Sequence, residues 1–396
     1  MSLTIKADVT KTLSAVAAAC DLVDRRLQNH GERVAYIAQE IGSHIGLDKE
    51  RLNLLTLSSL VHDIGIVTTR EKLELADFNP DSAIVSRHAK RGYDLLMTTR
   101  YLQALAQPVL EHHEHYREDL DLIPAIIFVA DRVELLLHRD EYYLWQTDRV
   151  VQRVRDHIGT IFHPEVVECF ADLAQKPSLW LDLQTGNYVK AIRDNPDMMH
   201  VLSMEELEDI AELFATIVDS KSPFTATHSS GLAAKAAIMA EKLGMEPLKV
   251  RQMRLAALLH DIGKLAVPEE ILVAPRKLTR EEFAVMQQHT YHTYYLIGML
   301  GDGLESIQRW AAYHHERLDG SGYPFGLTGD QLDMECRLMA VLDVFQALTE
   351  DRPYRSPLSL EETGAILRKE VQAGHLDGDL VDLIMKHGEE LINPAS

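Results

Sequence analysis

An adjacent histidine and aspartate close an apolar run in this chain: Leu255, Leu258 and Leu259 lead into His260-Asp261, and Ile262-Gly263-Lys264 follow directly. The leucines sit at helical spacing, so the pair is carried toward a buried face, where an imidazole and a carboxylate are costly unless something pairs them. A divalent metal pairs both. His228 stands 32 residues before His260, His289 comes 28 residues after Asp261, and His314-His315-Glu316 and Asp343 lie further on. Five histidines and two aspartates thus fall within one domain-sized span. Neutral imidazole suits transition metals, and a carboxylate can bridge two of them. Singly, each histidine reads as a satisfied core residue; the ordered set points to a metal centre.

The elements available to position these groups are helices. Leu- and Ala-rich segments with helical periodicity recur, and strand-type alternation is sparse, so the expected fold is all-α. Ser203-Met204-Glu205-Glu206 has the pattern of a capping box and predicts a helix from about 204 to 219, ended by Ser222-Pro223. Between the two halves, Val150 to His157 and Pro164 to Gln175 read as helical pieces, and Leu181 to Asn187 as a turn or short strand pair.

The landmarks occur twice. His30 and His62-Asp63 repeat the 32-residue spacing of His228 and His260. His88, His112-His113-Glu114 and Asp131 then match His289, His314-His315-Glu316 and Asp343 in order. The halves differ where chemistry is decided. Ile66 stands at the position of Lys264, and His113-Glu114 is followed by His115-Tyr116-Arg117 with no Gly-Tyr-Pro segment. The interval from the double histidine to the last aspartate is 18 residues in the first half and 28 in the second. The expected organisation is an amino-terminal domain over 1–180, a linker over 181–202 and a catalytic domain over 203–396.

A formal net charge of −21 over 396 residues argues against general nucleic-acid binding, because phosphate contacts need a basic surface. A phosphate-bearing ligand would have to be captured locally, by metals and a few Arg or Lys. Cys20, Cys169 and Cys336 are too far apart for a disulfide framework or a zinc knuckle, and a reducing cytoplasm is the expected setting. No stretch approaches the roughly 20 apolar residues of a membrane span, and Leu13 to Cys20 reads as a helix rather than a signal peptide.

His314-His315-Glu316-Arg317-Leu318-Asp319-Gly320-Ser321-Gly322-Tyr323-Pro324, with His228 and His260-Asp261 upstream, resembles the signature of the HD-GYP family within the HD superfamily of metal-dependent phosphohydrolases. The resemblance covers residues 203–390, and the repeated landmarks make the first half similar to a second HD domain. It implies two tandem HD-type helical bundles and a phosphodiesterase that opens a cyclic dinucleotide, cyclic di-GMP or 3′,3′-cyclic GMP-AMP, to the linear dinucleotide by a metal-bridged hydroxide. By the same resemblance, His228, His260, Asp261 and Asp343 hold one divalent metal, and His289, His314 and His315 hold a second, with Asp261 bridging. Iron or manganese is the expected metal, with zinc and nickel as alternatives. Lys264 joins Asp261 in the catalytic role as a point charge beside the phosphate oxygens. Gly322, Tyr323 and Pro324 shape a loop at the substrate, and Arg352 and Arg355 meet its phosphate or a guanine edge.

Two departures from the family pattern matter. Phe224 stands where some members carry a glutamate for a third metal, so two metals are expected; Gln346 stands where members commonly carry aspartate, which leaves the base preference open. The first half keeps His30, His62, Asp63, His88, His112, His113 and Asp131 as a second candidate metal set. Without the lysine and the loop it is expected to regulate, by packing on the catalytic half or mediating a homodimer. A non-catalytic cyclic dinucleotide sensor or scaffold is the alternative from another class, and the retained Lys264 and Gly322-Tyr323-Pro324 favour the enzyme.

Overall fold

The computed structural model describes residues 6–22, 28–66, 68, 71, 74–75, 82–195, 200–221, 228–351 and 356–392. It is all-α: the only strands among the described residues are the two-residue segments Lys6–Ala7 and Gly301–Asp302. The chain forms two compact units, Ala7–Asp209 and Ile210–Ser396, with Lys6 grouped with the second. Among the described residues no helix is long and apolar enough to cross a membrane.

In the carboxy-terminal unit each site segment is placed by a helix with a recognisable start. Pro247–Leu259 opens with proline at its first position, where the missing N–H costs nothing. It buries Met253, Leu255, Leu258 and Leu259 and delivers His260-Asp261 as the chain leaves the helix. The 3₁₀ turn Ile262–Ala266 follows, and the buried ammonium of Lys221 donates to the carbonyls of Leu265 (2.6 Å) and Val267 (2.9 Å). Arg280–Met299 begins with a capping box between Thr279 and Glu282 and carries His289. Glu305–Ala312 leads into His314-His315, and Met334–Thr349, capped by Asp333, carries Asp343. Turn and helix meet at Gly263, where an added Cβ would lie 1.9 Å from the His289 carbonyl oxygen.

The amino-terminal unit repeats these devices. His30–Ile45 begins on its histidine, Lys49–Leu60 is capped by Asp48 and leads into His62-Asp63, and Leu122–Leu135, capped by Asp121, carries Asp131. A Cβ on Gly65 would lie 2.0 Å from the His88 carbonyl oxygen, the same close approach as at Gly263.

The expected capping box forms: Glu206 N–H donates to Ser203 Oγ (3.2 Å) and Ser203 N–H to Glu206 Oε2 (2.7 Å), at the start of Met204–Ser220. Residues 222–223, expected to end that helix, lie outside the described residues. The stretch expected as a linker differs from its reading. It holds the helices Pro177–Thr185 and Tyr188–Arg193, joined through Gly186 in the left-handed region (φ 82°). Trp180, Leu183, Tyr188 and Ile192 are buried. The segment is tied to His30–Ile45 by Arg33 Nη1 donating to Leu183 O (2.9 Å) and Tyr36 OH donating to Asp182 Oδ2 (2.9 Å). Its polar residues mark turns between short helices whose apolar sides complete the amino-terminal core. Leu183→Ala should therefore destabilise that unit by about 2–5 kcal/mol, read as a lowered midpoint in urea unfolding; an unchanged curve would return the segment to linker status.

Candidate metal centre

In the carboxy-terminal unit three histidines are presented in one way. His260, His289 and His314 place Nδ1 at 2.7, 2.7 and 2.6 Å from the carbonyl oxygens of Ala257, Met286 and Ala311, each three residues back. A carbonyl oxygen can only accept, so Nδ1 carries a proton in each ring, and in the neutral form Nε2 is a lone pair facing inward. His228, first residue of His228–Lys242, sets its Nδ1 2.9 Å from Glu350 Oε2.

Asp261 lies between these lone pairs. Its Oδ2 is 3.1 Å from His260 Nε2 and 3.9 Å from His228 Nε2; its Oδ1 is 3.6 Å from His289 Nε2 and 3.9 Å from His314 Nε2. One oxygen therefore faces each of two clusters, His228–His260–Asp261 and His289–His314–His315, and each cluster has the ligand spacing to hold a metal ion. Asp343 also faces both, with Oδ1 3.7 Å from His228 and Oδ2 3.9 Å from Nδ1 of His315. His260 Nε2 and Asp261 Oδ1 are buried without a hydrogen-bond partner, and the Nε2 atoms of His289 and His314 oppose each other at 3.4 Å with no proton between them. Buried acceptors arranged this way call for cations. Burial, with Lys264 adding for His289 and His260 for His314, pushes these two imidazoles down to about 3 and about 4, so both are in the neutral, ligating form at pH 7.

Lys264, one-fifth exposed, ion-pairs with Asp261 Oδ2. Burial alone would raise the Asp261 carboxyl, but the charges of His260 and Lys264 hold it well below the usual range. The Gly-Tyr-Pro loop is anchored by Glu316, whose buried carboxylate accepts from the N–H of Phe325 (2.7 Å) and of Leu327 (2.9 Å). A Cβ on Gly322 would lie 2.4 Å from Arg317 N, so only glycine fits there, and the Tyr323 ring centroid is 4.9 Å from that of His315. Pro324 follows in the same loop. Arg352, Arg355 and Phe224 lie outside the described residues.

The amino-terminal unit brings its own seven residues together. His88, His112 and His113 form one cluster and His30, His62 and Asp63 another. His88 and His112 oppose Nε2 atoms at 3.3 Å, and Asp131 Oδ1 is 3.3 Å from His30 Nε2. Two features differ from the other unit. Arg132, fully buried, grips Asp131 Oδ2 through Nη2 (2.6 Å) and Nε (3.0 Å). Ile66, buried, takes the place of Lys264. Burial would lower His30, but the Glu134 charge and the hydrogen bonds His30 donates to Asp131 and Glu134 carry it up to about 10.

Sequence reading missed the anchoring role of Glu316, the contact of Glu350 with His228, and Asp219. The last accepts from Ser229 Oγ (3.1 Å), as Asp21 accepts from Gly31 N–H (3.1 Å). Its signal was present: Asp21 precedes His30, and Asp219 precedes His228, by the same nine residues (30 − 21 = 228 − 219 = 9).

A helical bundle with paired His/Asp clusters defines the HD domain. The HD domain family model matches residues 27–136 and a second HD domain model matches residues 212–380. A 3′3′-cGAMP-specific phosphodiesterase 1 of Vibrio cholerae is 35% identical over 95% of this chain and 90% of its own. A cyclic di-GMP phosphodiesterase of Pseudomonas aeruginosa is 32% identical over 55% of this chain and 52% of its own. The crystal structure of a cyclic GMP-AMP specific phosphodiesterase of V. cholerae superposes with a TM-score of 0.68 at 23% identity, covering 99% of both chains, and has the same fold. The chain belongs to the HD-GYP family of phosphodiesterases and carries two HD domains.

Glu316→Ala would leave two N–H donors without an acceptor, at about 1–3 kcal/mol each. Chymotrypsin should then cut after Phe325 at least about tenfold faster than in the unmodified protein. Equal cleavage rates would show that something other than Glu316 holds the loop.

Proposed function

We propose that the carboxy-terminal unit hydrolyses one phosphodiester bond of a cyclic dinucleotide to give the linear dinucleotide, with 3′,3′-cyclic GMP-AMP as the preferred substrate. The observation that carries the reaction is the Asp261 carboxylate with one oxygen toward each cluster of bare imidazole lone pairs. His228, His260, Asp261 and Asp343 would hold one divalent cation and His289, His314 and His315 the other; iron or manganese suits this mixture of imidazole and carboxylate, as zinc and nickel also can. When bound, such a pair supplies Lewis acidity and a water of lowered pKa for attack on phosphorus.

The chain's own residues do the rest. Lys264, partly exposed and ion-paired with Asp261, offers a point charge to phosphate oxygens as negative charge grows on them. Glu316 fixes the loop that sets Tyr323 beside His315, so the reacting phosphate is flanked on that side by an ordered aromatic ring. The preference for the mixed nucleotide rests on extent: similarity to a 3′3′-cGAMP-specific enzyme runs through both HD domains, whereas similarity to the cyclic di-GMP enzyme of P. aeruginosa covers about half the chain. Cyclic di-GMP is the second reading. A sensor without catalysis is disfavoured by the retained Lys264 and the anchored loop.

Asp261→Ala should lose metal and activity together, while Lys264→Ala keeps the metal and loses about tenfold to a thousandfold in kcat. Chromatography of products from both cyclic dinucleotides, alongside metal analysis of each variant, reads this directly. Full activity in metal-depleted Asp261→Ala protein would end the two-metal reading, and metal loss in Lys264→Ala would show that the lysine holds the site together.

The amino-terminal unit, with Ile66 for the lysine and no loop, regulates rather than turns over cyclic dinucleotides in this account. His62→Ala and Asp63→Ala in the full chain should leave the product unchanged and alter the rate by less than about tenfold, under 1.4 kcal/mol. Abolished hydrolysis in either would place chemistry in that unit.

A further inference from the structure

We infer that Glu350 is the positioning residue for His228, supplying from one helical turn further along the carboxylate that the amino-terminal unit supplies from Glu134. The inference rests on reading His228 as a metal ligand. In the amino-terminal unit His30 Nδ1 is 2.6 Å from Glu134 Oε2, and the other oxygen of that carboxylate accepts from Arg33 Nε (2.7 Å). Arg33 is three residues after His30, and Glu134 three after Asp131. The corresponding positions in the carboxy-terminal unit are Gly231 and Gln346.

Arginine and glutamate have therefore been replaced together, and the replacements pack on each other. A Cβ on Gly231 would lie 2.8 Å from Gln346 Nε2, which itself donates to the His228 backbone carbonyl (2.7 Å). Gln346 is thus committed to the backbone of His228, and its Oε1 has no hydrogen-bond partner. The ring is held instead by Glu350, at the carboxy-terminal end of Met334–Thr349, with Oε2 2.9 Å from His228 Nδ1.

This dependence sets His228 apart. His260, His289 and His314 are oriented by backbone carbonyls that side-chain substitution cannot remove. His228 relies on a side chain. With Nδ1–H donated to Glu350, Nε2 is the lone pair that faces Asp343 Oδ1 at 3.7 Å and Asp261 Oδ2 at 3.9 Å. A carboxylate behind an imidazole both fixes its tautomer and raises its basicity toward a cation.

The test is manganese binding by the metal-free full chain, followed by electron paramagnetic resonance of free Mn²⁺. Glu350→Ala should weaken one of the Mn²⁺ sites filled in the unmodified full chain by about 10- to 100-fold without changing the melting temperature of the metal-free protein. Glu350→Gln, which keeps an acceptor but not its charge, should lose less. Adding Gln346→Glu to Glu350→Ala, which returns a carboxylate to the position of Glu134, should restore most of the lost affinity. Should Glu350→Ala fail to fold, Glu350→Gln with and without Gln346→Glu makes the same comparison. Wild-type affinity in Glu350→Ala, alongside a site lost in His228→Ala, would overturn the inference while leaving the metal reading in place. A loss that Gln346→Glu does not lessen would overturn it too. Retention in His228→Ala of every site filled in the unmodified chain would instead sink the metal reading on which it rests.

Discussion

The carboxylate of Asp261 is buried among imidazole nitrogens that carry no protons when the rings are neutral. Each neighbouring ring has given its N–H to a backbone carbonyl or to Glu350, so the interior of the site is a set of lone pairs around a negative charge. Such an arrangement is unfavourable for a protein alone. Lys264 offsets one oxygen of Asp261; the other has no hydrogen-bond partner. The helices that end at His260 and Ala312, the glycine contact at Gly263 and the buried lysine beneath the 3₁₀ turn all hold these groups close despite that cost. Stability and function meet there, since the cations that would complete the site also relieve it.

The two HD domains show which parts of this arrangement the fold requires and which the chemistry requires. Both keep the helix starts, the opposed imidazole pair and the close approach at Gly65 or Gly263. They part over cations. The carboxy-terminal unit has a partly exposed lysine on its bridging carboxylate, whereas the amino-terminal unit has a buried arginine on Asp131 and an apolar side chain where the lysine would be. A buried guanidinium can neutralise a ligand but cannot reach a substrate. This difference supports the proposal that the carboxy-terminal unit acts on phosphate and the amino-terminal unit does not.

Much of this was legible in the chain. The histidines and aspartates that the fold gathers into clusters could be read because their types are costly to bury singly and recur in order at matched spacing, and helix starts at Ser203 and Pro164 could be read because capping is local chemistry. The reading failed where the decisive contact is distant in sequence. Residues 181–202 carry turn formers, but Asp182 and Leu183 find their partners, Tyr36 and Arg33, on a helix some 150 positions earlier. Glu316 was visible only as part of a motif, because its work is to bind N–H groups of a loop whose path the sequence does not draw. Gln346 stood out as a departure, yet its compensation by Glu350 depends on one helical turn of geometry and on Gly231 opposite.

The central claim is that Asp261 joins two cation sites in the carboxy-terminal HD domain. Anomalous diffraction at the manganese edge, from crystals of the full chain grown with Mn²⁺, tests it most directly. Two anomalous peaks on either side of the Asp261 carboxylate, one toward His228 and His260 and the other toward His289, His314 and His315, are the predicted result. A single peak, or peaks that Asp261 does not touch, would contradict it.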